Sequence, residues 1–569
     1  MAQPPAPSFA IAALDAAKVE DPRGTTSYTF TVTRAGDLSG TDTLAYAAAG
    51  SGANPAGPAD FVGSAYPSGA VTFAPGETSK TVAIPVQGSP AARPNPGFTV
   101  TLSSPAGAPI TTASADGLIR TDDADTTPAA FAARFTPAGN LAPVVSSLIS
   151  TALAKRAGAA PGTVALSSGA AGTFRAPVAG VANAAVAAAP AAGVSLALPS
   201  GYDALAVQGG GAATLSDAGT AGAVLVGNAA GDTFASTGAD AVLTGGAGND
   251  TYFVSGSAQV STGAGMDTLF AFGAASVDIN FSGDLTAVLA GGSSGIFAFG
   301  GRAVVYGGAG TVDVRQLAGS VTLVGGDGRV TVRGGLGICT VFGGKGGLDY
   351  TSITIGSAVI VGGSGAINVQ AGAAGGQFWG SSGQDVIRGG DGFNVLAGTS
   401  GDRLYSGGGS NFFLSRTGGV LMDGSASRGQ DAFFGGSGGA DTFICGAGTS
   451  LIGTGTGSST VQLGAGKATV YAFGNSTITS GTGSADIVYG STGTQLLLNA
   501  VSPGSTRVFA LFNFVPGTEH VTLQQYNPNA AAYALANQVN DPGYTTLTLP
   551  DQTRILLLGV GRADASVFG

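Results

Sequence analysis

The sequence predicts an all-β protein whose largest part is a parallel β-solenoid. Glycine accounts for 99 of the 569 residues, and charged residues for only 10%. Within residues 302–369, paired glycines begin at Gly307, Gly325, Gly343 and Gly362, at spacings of 18, 18 and 19 residues. Apolar and polar residues alternate after each pair, as in a short strand with one buried face. Turns and short strands that repeat at a fixed period are typical of solenoid coils.

We expect the apolar residues of these central coils to point inward and to stack along the solenoid. They are Val312, Val314, Val330, Val332, Cys339, Val341, Leu348, Tyr350, Ile367 and Val369. Cys339 is therefore predicted to be a buried small side chain. It lies about six coils from Cys445, the other cysteine, whereas a disulfide needs Cα atoms within about 7 Å, so we expect no disulfide.

Composition and charge limit the classes of partner. A net charge of -10 disfavours nucleic acid and anionic membranes. Residues 1–17 lack the basic residues and the apolar core of a secretory signal peptide. The apolar run 177–198 is interrupted by Asn183 and Pro190, so we predict no membrane span.

Residues 1–125 are predicted to form a β-sandwich. Segments that alternate polar and apolar residues are separated by clusters of Gly, Pro, Asp and Ser, as in sandwich domains. The segments are 28–33, 70–73, 81–86 and 98–102. Pro85 has no N–H to donate to a neighbour, so its segment is predicted to be an edge strand.

The same region carries the motifs of a known module. Val19-Glu20, 24–26 (GTT), 29–34 (TFTVTR), Asp60-Phe61, 71–80 (VTFAPGETSK), 98–103 (FTVTLS) and Asp122-Asp123 follow one another in order. Through these motifs the region resembles the Calx-β domain. Some members of that family bind calcium at one end of the sandwich, so the resemblance implies a site formed by Glu20, Asp60, Asp122 and Asp123. Residues 88–95 lack the acidic residues that are usual in the family. The alternative is that the carboxylates of the four predicted ligands are solvated loop residues that bind no metal.

Residues 126–222 are rich in alanine and proline and are predicted to be a linker and cap with a short helix over 143–157. Pro143 suits a first helical turn, and Lys155 and Arg156 suit a last one. We expect Val144, Leu148 and Ala152 on one apolar face, with Val145 and Ile149 as further candidates for the same face. A solenoid needs such a terminal cap.

Residues 223–490 are predicted to form the solenoid, and its flanks differ from its centre. Residues 245–252 (GGAGNDTY) match the nonapeptide G-G-x-G-x-D-x-U, and residues 262–269 (TGAGMDTL) lack only its first glycine. Related strings occur at 380–387, 389–396 and 436–443. These motifs resemble the calcium-binding repeats of RTX proteins, in which turn carbonyls and the aspartates of stacked coils chelate calcium. The resemblance implies metal sites formed by Gly245, Gly246, Gly248, Asp250, Gly263, Gly265, Asp267, Asp385 and Asp441.

In the central coils, the aspartate position of the motif holds an apolar residue. It is occupied by Val312, Val330, Cys339, Leu348 and Ile367. Because an apolar side chain cannot bind a hard cation, we predict that these coils are held by burial alone. Calcium is then expected only at the flanks, foremost near Asp250 and Asp267.

The last segment, 491–569, stops repeating. Its apolar strings at 508–523, 544–560 and 564–568 resemble the C-terminal cap of RTX proteins. The resemblance implies a type I secretion signal and an extracellular or cell-surface location in a Gram-negative bacterium. The alternative is an ordinary β cap.

Few residues suit catalysis. His520 is the only histidine, so the His-Glu-x-x-His zinc site of RTX metalloproteases is absent. A solenoid enzyme acting on acidic polysaccharides would need carboxylates beside basic residues in a groove. Arg315, Arg333 and Lys345 could share a face, but we interpret them as a solvated rim.

These observations predict a non-enzymatic extracellular protein that assembles with copies of itself into a surface layer, filament, biofilm matrix or adhesive coat, with calcium as a partial requirement. The alternatives are a polysaccharide-active enzyme and a carbohydrate-binding surface protein. Cell-surface or matrix polysaccharide is a further possible partner.

Overall fold

The computed structural model describes residues 5–20, 25–88, 95–104, 107–120, 126–136, 141–156, 164–169, 174, 177–189, 193–352, 355–504 and 506–569. The chain divides into two compact units, residues 1–251 and 252–569. Strands dominate the chain and its helices are few and short, which confirms the all-β class predicted from the sequence.

The first unit begins with a β-sandwich. Its strands are β1 (Ser8–Asp15), β2 (Ala17–Val19), β3 (Thr25–Ala35), β4 (Asp42–Ser51), β5 (Ser68–Phe73), β6 (Ser79–Gln87), β7 (Gly97–Ser103), β8 (Ile110–Thr112) and β9 (Ser114–Arg120), with a 3-10 turn at Pro58–Asp60. One sheet has the order β6-β3-β1-β8 and the other β2-β9-β7-β4-β5. The sequence therefore correctly predicted a sandwich in this part of the chain.

Aromatic rings fill the space between the two sheets. The Phe98 ring lies 5.7, 6.0 and 5.5 Å from the ring centres of Tyr28, Phe30 and Phe61, each time edge to face. Pro85 lies on β6, which is the outer strand of its sheet, as predicted from its missing N–H.

Two helices follow, α1 (Pro128–Phe135) and α2 (Ala142–Arg156). The N–H of Ala130 donates to the Thr127 hydroxyl at 3.1 Å, which caps α1. The buried face of α2 consists of Val145, Ile149 and Leu153. Val145 and Ile149 were the further candidates for this face, whereas the main predicted set, Val144, Leu148 and Ala152, is not fully buried. The observed face is larger because Leu153 takes the place of an alanine, so it buries more apolar surface.

Parallel strands in the first unit begin at Val164, well before residue 223, where the sequence placed the start of the solenoid. They are β10 (Val164–Gly169), β11 (Ala182–Ala188), β12 (Val194–Ala197), β13 (Ala204–Gln208), β14 (Ala213–Ser216), β15 (Val224–Val226), β16 (Thr233–Ser236) and β17 (Ala241–Thr244). Helix α2 packs against β11, β15 and β17. Strands β11 and β13 are rich in buried alanine. They contain none of the paired glycines that identified the central coils.

The second unit contains most of the solenoid. Its strands are β18 (Thr251–Val254), β19 (Ala258–Ser261), β20 (Met266–Ala271), β21 (Val277–Phe281), β22 (Asp284–Leu289), β23 (Ser294–Ala298), β24 (Arg302–Gly307), β25 (Val312–Gln316), β26 (Ser320–Val324), β27 (Val330–Gly334), β28 (Ile338–Phe342), β29 (Leu348–Ser352), β30 (Ala358–Val361), β31 (Ile367–Gln370), β32 (Gly375–Trp379), β33 (Val386–Arg388), β34 (Phe393–Gly398), β35 (Arg403–Tyr405), β36 (Asn411–Ser415), β37 (Leu421–Asp423), β38 (Gln430–Phe434), β39 (Thr442–Ile444), β40 (Thr449–Gly453), β41 (Ser459–Gln462), β42 (Ala468–Ala472), β43 (Ser476–Thr479), β44 (Ala485–Tyr489), β45 (Gln495–Asn499), β46 (Val508–Phe512) and β47 (His520–Gln524).

These strands form two parallel sheets. Odd-numbered strands from β19 to β47 form the odd-strand sheet, and even-numbered strands from β18 to β46 form the even-strand sheet. In the central coils a residue pairs with the residue 18 positions later, for example Val312 with Val330 and Val330 with Leu348. All ten central apolar residues named above are buried, which confirms their inward direction.

Both cysteines are buried free thiols. Cys339 belongs to the central coils and Cys445 follows β39. Burial raises the pKa of each thiol to about 12.

The chain ends in a cap of antiparallel strands. Helix α3 (Ala530–Ala536) precedes β48 (Val539–Asp541), β49 (Tyr544–Thr548) and β50 (Arg554–Leu558), and β50 also pairs in parallel with β46. Buried Arg507 donates to the Asp551 carboxylate at 3.3 Å and to the Tyr526 hydroxyl at 2.9 Å, which joins the cap to the last coils. Across the described ranges, no helix is long and apolar enough to cross a membrane.

Candidate functional site

The glycines of the repeat allow consecutive coils to approach closely. A Cβ on Gly246 would lie 1.6 Å from the Asn228 carbonyl oxygen, and one on Gly248 would lie 2.2 Å from the carbonyl carbon of Ala230. Gly265 has a φ of +117°, which other residues adopt only with strain. Coil stacking alone therefore requires glycine at these positions, whether or not a metal binds.

The aspartate of the first full motif is bound to backbone N–H groups. Asp250 is 1% exposed, and its carboxylate accepts from Gly246 N–H at 3.0 Å in its own turn and from Asp232 N–H at 2.7 Å in the preceding coil. Asp232 repeats the arrangement, accepting from Asn228 and Ala213 N–H, both at 2.7 Å. We call a carboxylate that joins its own turn to the coil before it an aspartate brace.

A second group of braces lies in the odd-strand sheet of the second unit. Asp385 accepts from Ile367 N–H at 2.8 Å, from Ser381 Oγ at 2.8 Å and from Ser381 N–H. Asp402 accepts from Asp385 N–H at 2.8 Å and from Thr399 N–H at 2.6 Å, so the two braces are linked in series. The sequence pointed to Asp385 but missed Asp402. Its position 17 residues beyond Asp385, about one coil, was the available signal.

Asp441 is a brace with a longer reach. Its carboxylate accepts from Gly436 N–H at 2.8 Å, from Val420 N–H at 2.9 Å and from Ser415 Oγ at 2.9 Å. Its contacts thus include residues from two earlier strands of the solenoid.

The even-strand sheet uses amides in the same role. Asn394 Nδ2 donates to Asn411 Oδ1 at 2.8 Å, and Asn411 Nδ2 donates to Asp431 Oδ1 at 2.8 Å. Asn394 Oδ1 also accepts from Gly390 N–H at 3.0 Å within its own turn. This ladder of stacked polar side chains was not predicted, because Asn411 and Asp431 lie in strings that do not match the nonapeptide.

Burial and hydrogen bonds shift the pKa values of the buried aspartates in opposite directions. Burial raises the pKa of Asp232, Asp402 and Asp431, and the N–H and side-chain donors only partly offset it. For Asp217, burial also acts upward, but hydrogen bonds from the Ser236 hydroxyl and the N–H groups of Gly219, Gly238 and Thr237 outweigh it and lower the pKa.

Asp267, the aspartate of the second motif, is buried at the start of β20. Its backbone pairs with that of Leu285, and its exposed fraction is 2%. Gly263, in the preceding turn, has a φ of +86°. The structure therefore places Asp267 on an inward column of the even-strand sheet, where the next coils have Leu285 and Ala303.

The braced turns do not fit a calcium ion. Calcium takes six to eight oxygen ligands, whereas N–H and hydroxyl donors face the carboxylates of Asp250, Asp385 and Asp441. A cation beside these oxygens would meet the positive ends of those donors and would have to break their hydrogen bonds. Within the described residues, no three His, Cys, Asp or Glu side chains form a cluster suited to a metal. In this structure the carboxylates of Asp250, Asp385 and Asp441 act as hydrogen-bonded braces.

The structure describes two of the four calcium ligands predicted in the sandwich. Glu20 and Asp60 are both buried, at 2% and 6% exposure. Glu20 N–H donates to Arg120 O at 3.0 Å, so Glu20 lies beside the last residue of β9. The Asp60 carboxylate accepts from Gly57 N–H at 2.7 Å. Asp122 and Asp123 lie outside the described residues.

The three basic residues that the sequence singled out as a shared face, Arg315, Arg333 and Lys345, each form an ion pair at the surface. Arg315 and Arg333 are neighbours in register, and Asp313 forms ion pairs with both, at 3.3 and 2.9 Å. Lys345 pairs with Asp327 at 3.1 Å. Exposed pairs such as these add little stability, and they neutralise the charges that an acidic sugar would need.

No family model and no curated protein matches the chain. Among similar solved structures, the apo form of the Calx CBD1 domain is 20% identical over 21% of this chain and all of its own length, with a TM-score of 0.17. CBD12 from CALX1.2 and the calcium-binding domain CBD12 of CALX1.1 are 19% and 21% identical over 20% of this chain, with TM-scores of 0.18 and 0.17. The chain spans 44% and 46% of those two structures. These scores are low, so the description of the sandwich rests on its own strands and core.

Proposed function

We propose that this chain is a secreted, non-enzymatic structural protein that assembles with copies of itself into a surface layer, filament or biofilm matrix. The observation that carries the proposal is the use of its buried polar groups. Asp250, Asp385 and Asp441 are all bonded to the protein's own turns. Side chains committed to holding coil on coil suit a scaffold.

Exposed strand edges supply a route to assembly. In the first unit, β12 begins a parallel sheet, and β6 is the outer strand of the sandwich. An edge strand of one copy can add to the sheet of another by backbone hydrogen bonding. Such a head-to-tail contact does not close on itself, so it propagates as a filament.

Assembly is tested on the full chain by light scattering and electron microscopy over a range of protein concentrations, with and without calcium. We expect particles whose mass grows with concentration and which appear as filaments or sheets. A species that stays monomeric at the highest concentration contradicts the proposal.

Calcium is proposed only for the sandwich. Buried carboxylates at Glu20 and Asp60, with Asp122 and Asp123 two and three residues beyond Arg120, offer the oxygen ligands that calcium prefers. Isothermal titration of the full chain should show calcium binding that Glu20→Gln weakens. Asp37→Asn, which removes a partly exposed carboxylate elsewhere in the sandwich, is the matched control and should leave binding unchanged. Equal binding by both variants excludes this site.

Export is proposed to use the C-terminal segment 491–569 and a type I secretion system. Truncation after Tyr544 should retain the chain in the cell, but it also removes β50, which pairs with β46. A second arm therefore fuses residues 491–569 to a passenger protein and measures its appearance in the medium. A retained fusion, with the full chain exported, contradicts this assignment of the signal.

A screen for depolymerisation of acidic and neutral glycans tests the absence of enzyme activity. We expect no product, because the candidate basic residues Arg315, Arg333 and Lys345 are neutralised by aspartates. Turnover that is lost in Arg333→Gln would replace the structural proposal with an enzymatic one.

A further inference from the structure

The outer surface of the even-strand sheet carries one continuous apolar column, which we name the aromatic column. In register from β20 to β46 it consists of Phe270, Val288, Tyr306, Val324, Phe342, Val361, Trp379, Ala397, Leu414, Phe434, Gly453, Tyr471, Val488 and Phe512. These positions alternate along their strands with inward residues, so their side chains point away from the solenoid core. Ala397 is nevertheless fully buried, between the larger Trp379 and Leu414 of the neighbouring strands, and Gly453 has no side chain.

Much of this column is open to solvent. Tyr306 is 45% exposed, Phe342 and Tyr471 are 43% exposed, and Phe434 is 36% exposed. Single exposed apolar residues are normal on a protein surface, but a contiguous apolar strip marks an interaction site. The outer surface of the odd-strand sheet carries the paired charges of Asp313, Arg315 and Arg333. On the even-strand sheet, the exposed ion pair of Asp284 and Arg302 lies at the starts of β22 and β24, at the opposite ends of these strands from the column.

Large and small residues alternate along the aromatic column. Rings at Phe270, Tyr306, Phe342 and Trp379 are separated by single small residues, and so are the rings at Phe434, Tyr471 and Phe512. Rings two coils apart are separated by about 10 Å, and each gap has roughly the width of another ring. Leu414 and Phe434 are adjacent, so the alternation changes phase once.

The adjacent outward column is also almost uncharged. It consists of Thr268, Thr286, Val304, Thr322, Thr340, Val359, Gln377, Val395, Phe412, Ala432, Leu451, Thr469, Asp486 and Ala510. Its one charge, Asp486, pairs with Lys467 at 2.9 Å. Over roughly 60 Å of strands about 16 Å long, the surface measures about 1,000 Å². Two such faces together bury about 2,000 Å², which is the range of stable dimers.

We propose that the aromatic column is the face on which a second copy of this chain docks, with the two solenoids antiparallel and a two-fold axis through Ala397. This arrangement places Phe342 against Gly453 of the other copy, Tyr306 against Val488, and Tyr471 against Val324. Next to the axis, Trp379 meets Leu414 of the other copy, and farther out the phase change at Leu414 and Phe434 makes rings meet smaller residues on both sides. A parallel pairing in register would place ring against ring.

This inference rests on the proposed function, because it names the lateral contact of the assembly. It is distinct from the edge-to-edge contact that extends a filament. The alternative occupant of the aromatic column is an insoluble polysaccharide, and the first test distinguishes it from a second copy of the chain.

The first test introduces charge into the column of the full chain. Tyr306→Lys combined with Tyr471→Lys should weaken lateral association at least about 100-fold, measured by analytical ultracentrifugation, because buried aromatic anchors dominate interface energies. Gln370→Lys combined with Gln462→Lys adds the same charge to the odd-strand sheet, at exposed positions, and should not change association. Similar circular dichroism of both variants confirms that they are folded.

The outcomes are distinct. If the wild type assembles and the tyrosine variant assembles as well as the control, the column is not the contact, although the proposed function stands. If the wild type is monomeric at all concentrations, both fail. If the wild-type monomer is retained on insoluble cellulose or chitin and the tyrosine variant is not, the column is a sugar platform and the second copy is excluded.

A second test measures the geometry with one spin label per chain at Thr286→Cys or Thr340→Cys, in a background with Cys339→Ala and Cys445→Ala. In the antiparallel arrangement, label-to-label distance falls by about 10 Å for each coil nearer Ala397. The Thr340 label should therefore give a distance about 30 Å shorter than the Thr286 label. Equal distances for the two sites overturn the antiparallel arrangement.

Discussion

Two groups of coils in the second unit hold the same backbone in different ways. In the apolar coils, residues 302–369, the inward position after each turn holds Val312, Val330, Leu348 or Ile367. In the braced coils, residues 380–441, the same position holds Asp385 or Asp441. The coil geometry therefore defines a position that either an apolar side chain or a carboxylate can fill, provided that the carboxylate meets N–H donors.

The boundary between the two groups shows what changes. Leu348 N–H donates to the Ala366 carbonyl of the next coil at 3.1 Å. Ile367 N–H, one coil later, donates instead to the Asp385 carboxylate at 2.8 Å. The brace replaces a backbone acceptor with a side-chain acceptor, so one coil exchanges buried apolar area for a charge-assisted hydrogen bond.

The largest effect is expected from removing apolar volume in an apolar coil. Leu348→Ala should lower local stability by roughly 2–5 kcal/mol, because a buried leucine is lost and a cavity remains. Hydrogen exchange of peptides covering β27, β29 and β31 measures the effect. Thr351→Ala, on the outer surface of the same strand, is the control. Similar protection in both variants means that burial does not hold these coils.

The next effect is expected from removing a brace. Asp385→Ala leaves Ile367 N–H and Ser381 N–H without their acceptor, which should cost roughly 2–4 kcal/mol in local stability. Asp385→Leu mimics the apolar coils, and we expect it to recover part of that loss. Hydrogen exchange over residues 367–388 compares the two variants. A leucine variant less stable than the alanine variant refutes the interchangeability of the two solutions.

The two native cysteines compare the groups without any change to the backbone. Burial raises the pKa of Cys339 and Cys445 alike to about 12, so each buried thiol is protonated near neutral pH and labelling rates report local opening. Cys339 belongs to the apolar coils and Cys445 is next to the braced ones. We expect iodoacetamide to modify Cys339 about tenfold more slowly, the ratio that corresponds to ~1.4 kcal/mol. Mass spectrometry of the labelled peptides gives both rates. Faster modification of Cys339 than of Cys445 would contradict the prediction that the apolar coils open less often.

The smallest effect is a dependence on pH in the braced coils that the apolar coils lack. Burial and the neighbouring Asp385 carboxylate raise the pKa of Asp402. A raised carboxyl pKa stabilises the fold below the ordinary pKa and loses that contribution as pH rises through the folded value. Exchange over residues 399–405, corrected for intrinsic rates, should therefore slow relative to residues 348–352 as pH falls from 7 towards 4. An equal response in both segments would contradict a stabilising effect of Asp402 protonation.

Asp217 extends this prediction with the opposite sign. Its pKa is lowered, so its contribution is present above the ordinary pKa and is lost as pH falls. Protection over residues 217–220 should fall at acid pH, where protection near Asp402 rises.

Much of the fold was predictable because it repeats. Glycine pairs at a fixed spacing and apolar alternation identified the central strands, and Pro85 identified an edge strand from one missing N–H. The first parallel strands, β10 to β14, were missed because alanine-rich segments lack both signals. The buried face of α2 was predicted only in part, through Val145 and Ile149, because two adjacent apolar stripes of the helix differ only in side-chain size.

The candidate site was harder to read from the sequence. The sequence motif at Asp250 is compatible with a metal ligand and with a brace. Only the positions of the N–H donors around its carboxylate distinguish the two roles. Asp402 and Asn411 form hydrogen bonds with residues of neighbouring coils, 17 and 20 positions away in the sequence. A motif search within one coil therefore cannot find them. The aromatic column emerged only when the strand register aligned single residues from many coils.

The parallel ladders also determine how the solenoid of the second unit would carry mechanical load. Backbone hydrogen bonds in a sheet run across the strands, so here they run along the stacking direction. Tension in that direction loads the coils in series, and the first coil to yield limits the strength of the whole array. A brace such as Asp441, which ties Gly436 to Val420 in the preceding coil, acts along that line of force. Fixed carboxylates would then give tensile strength that does not depend on the supply of metal ions.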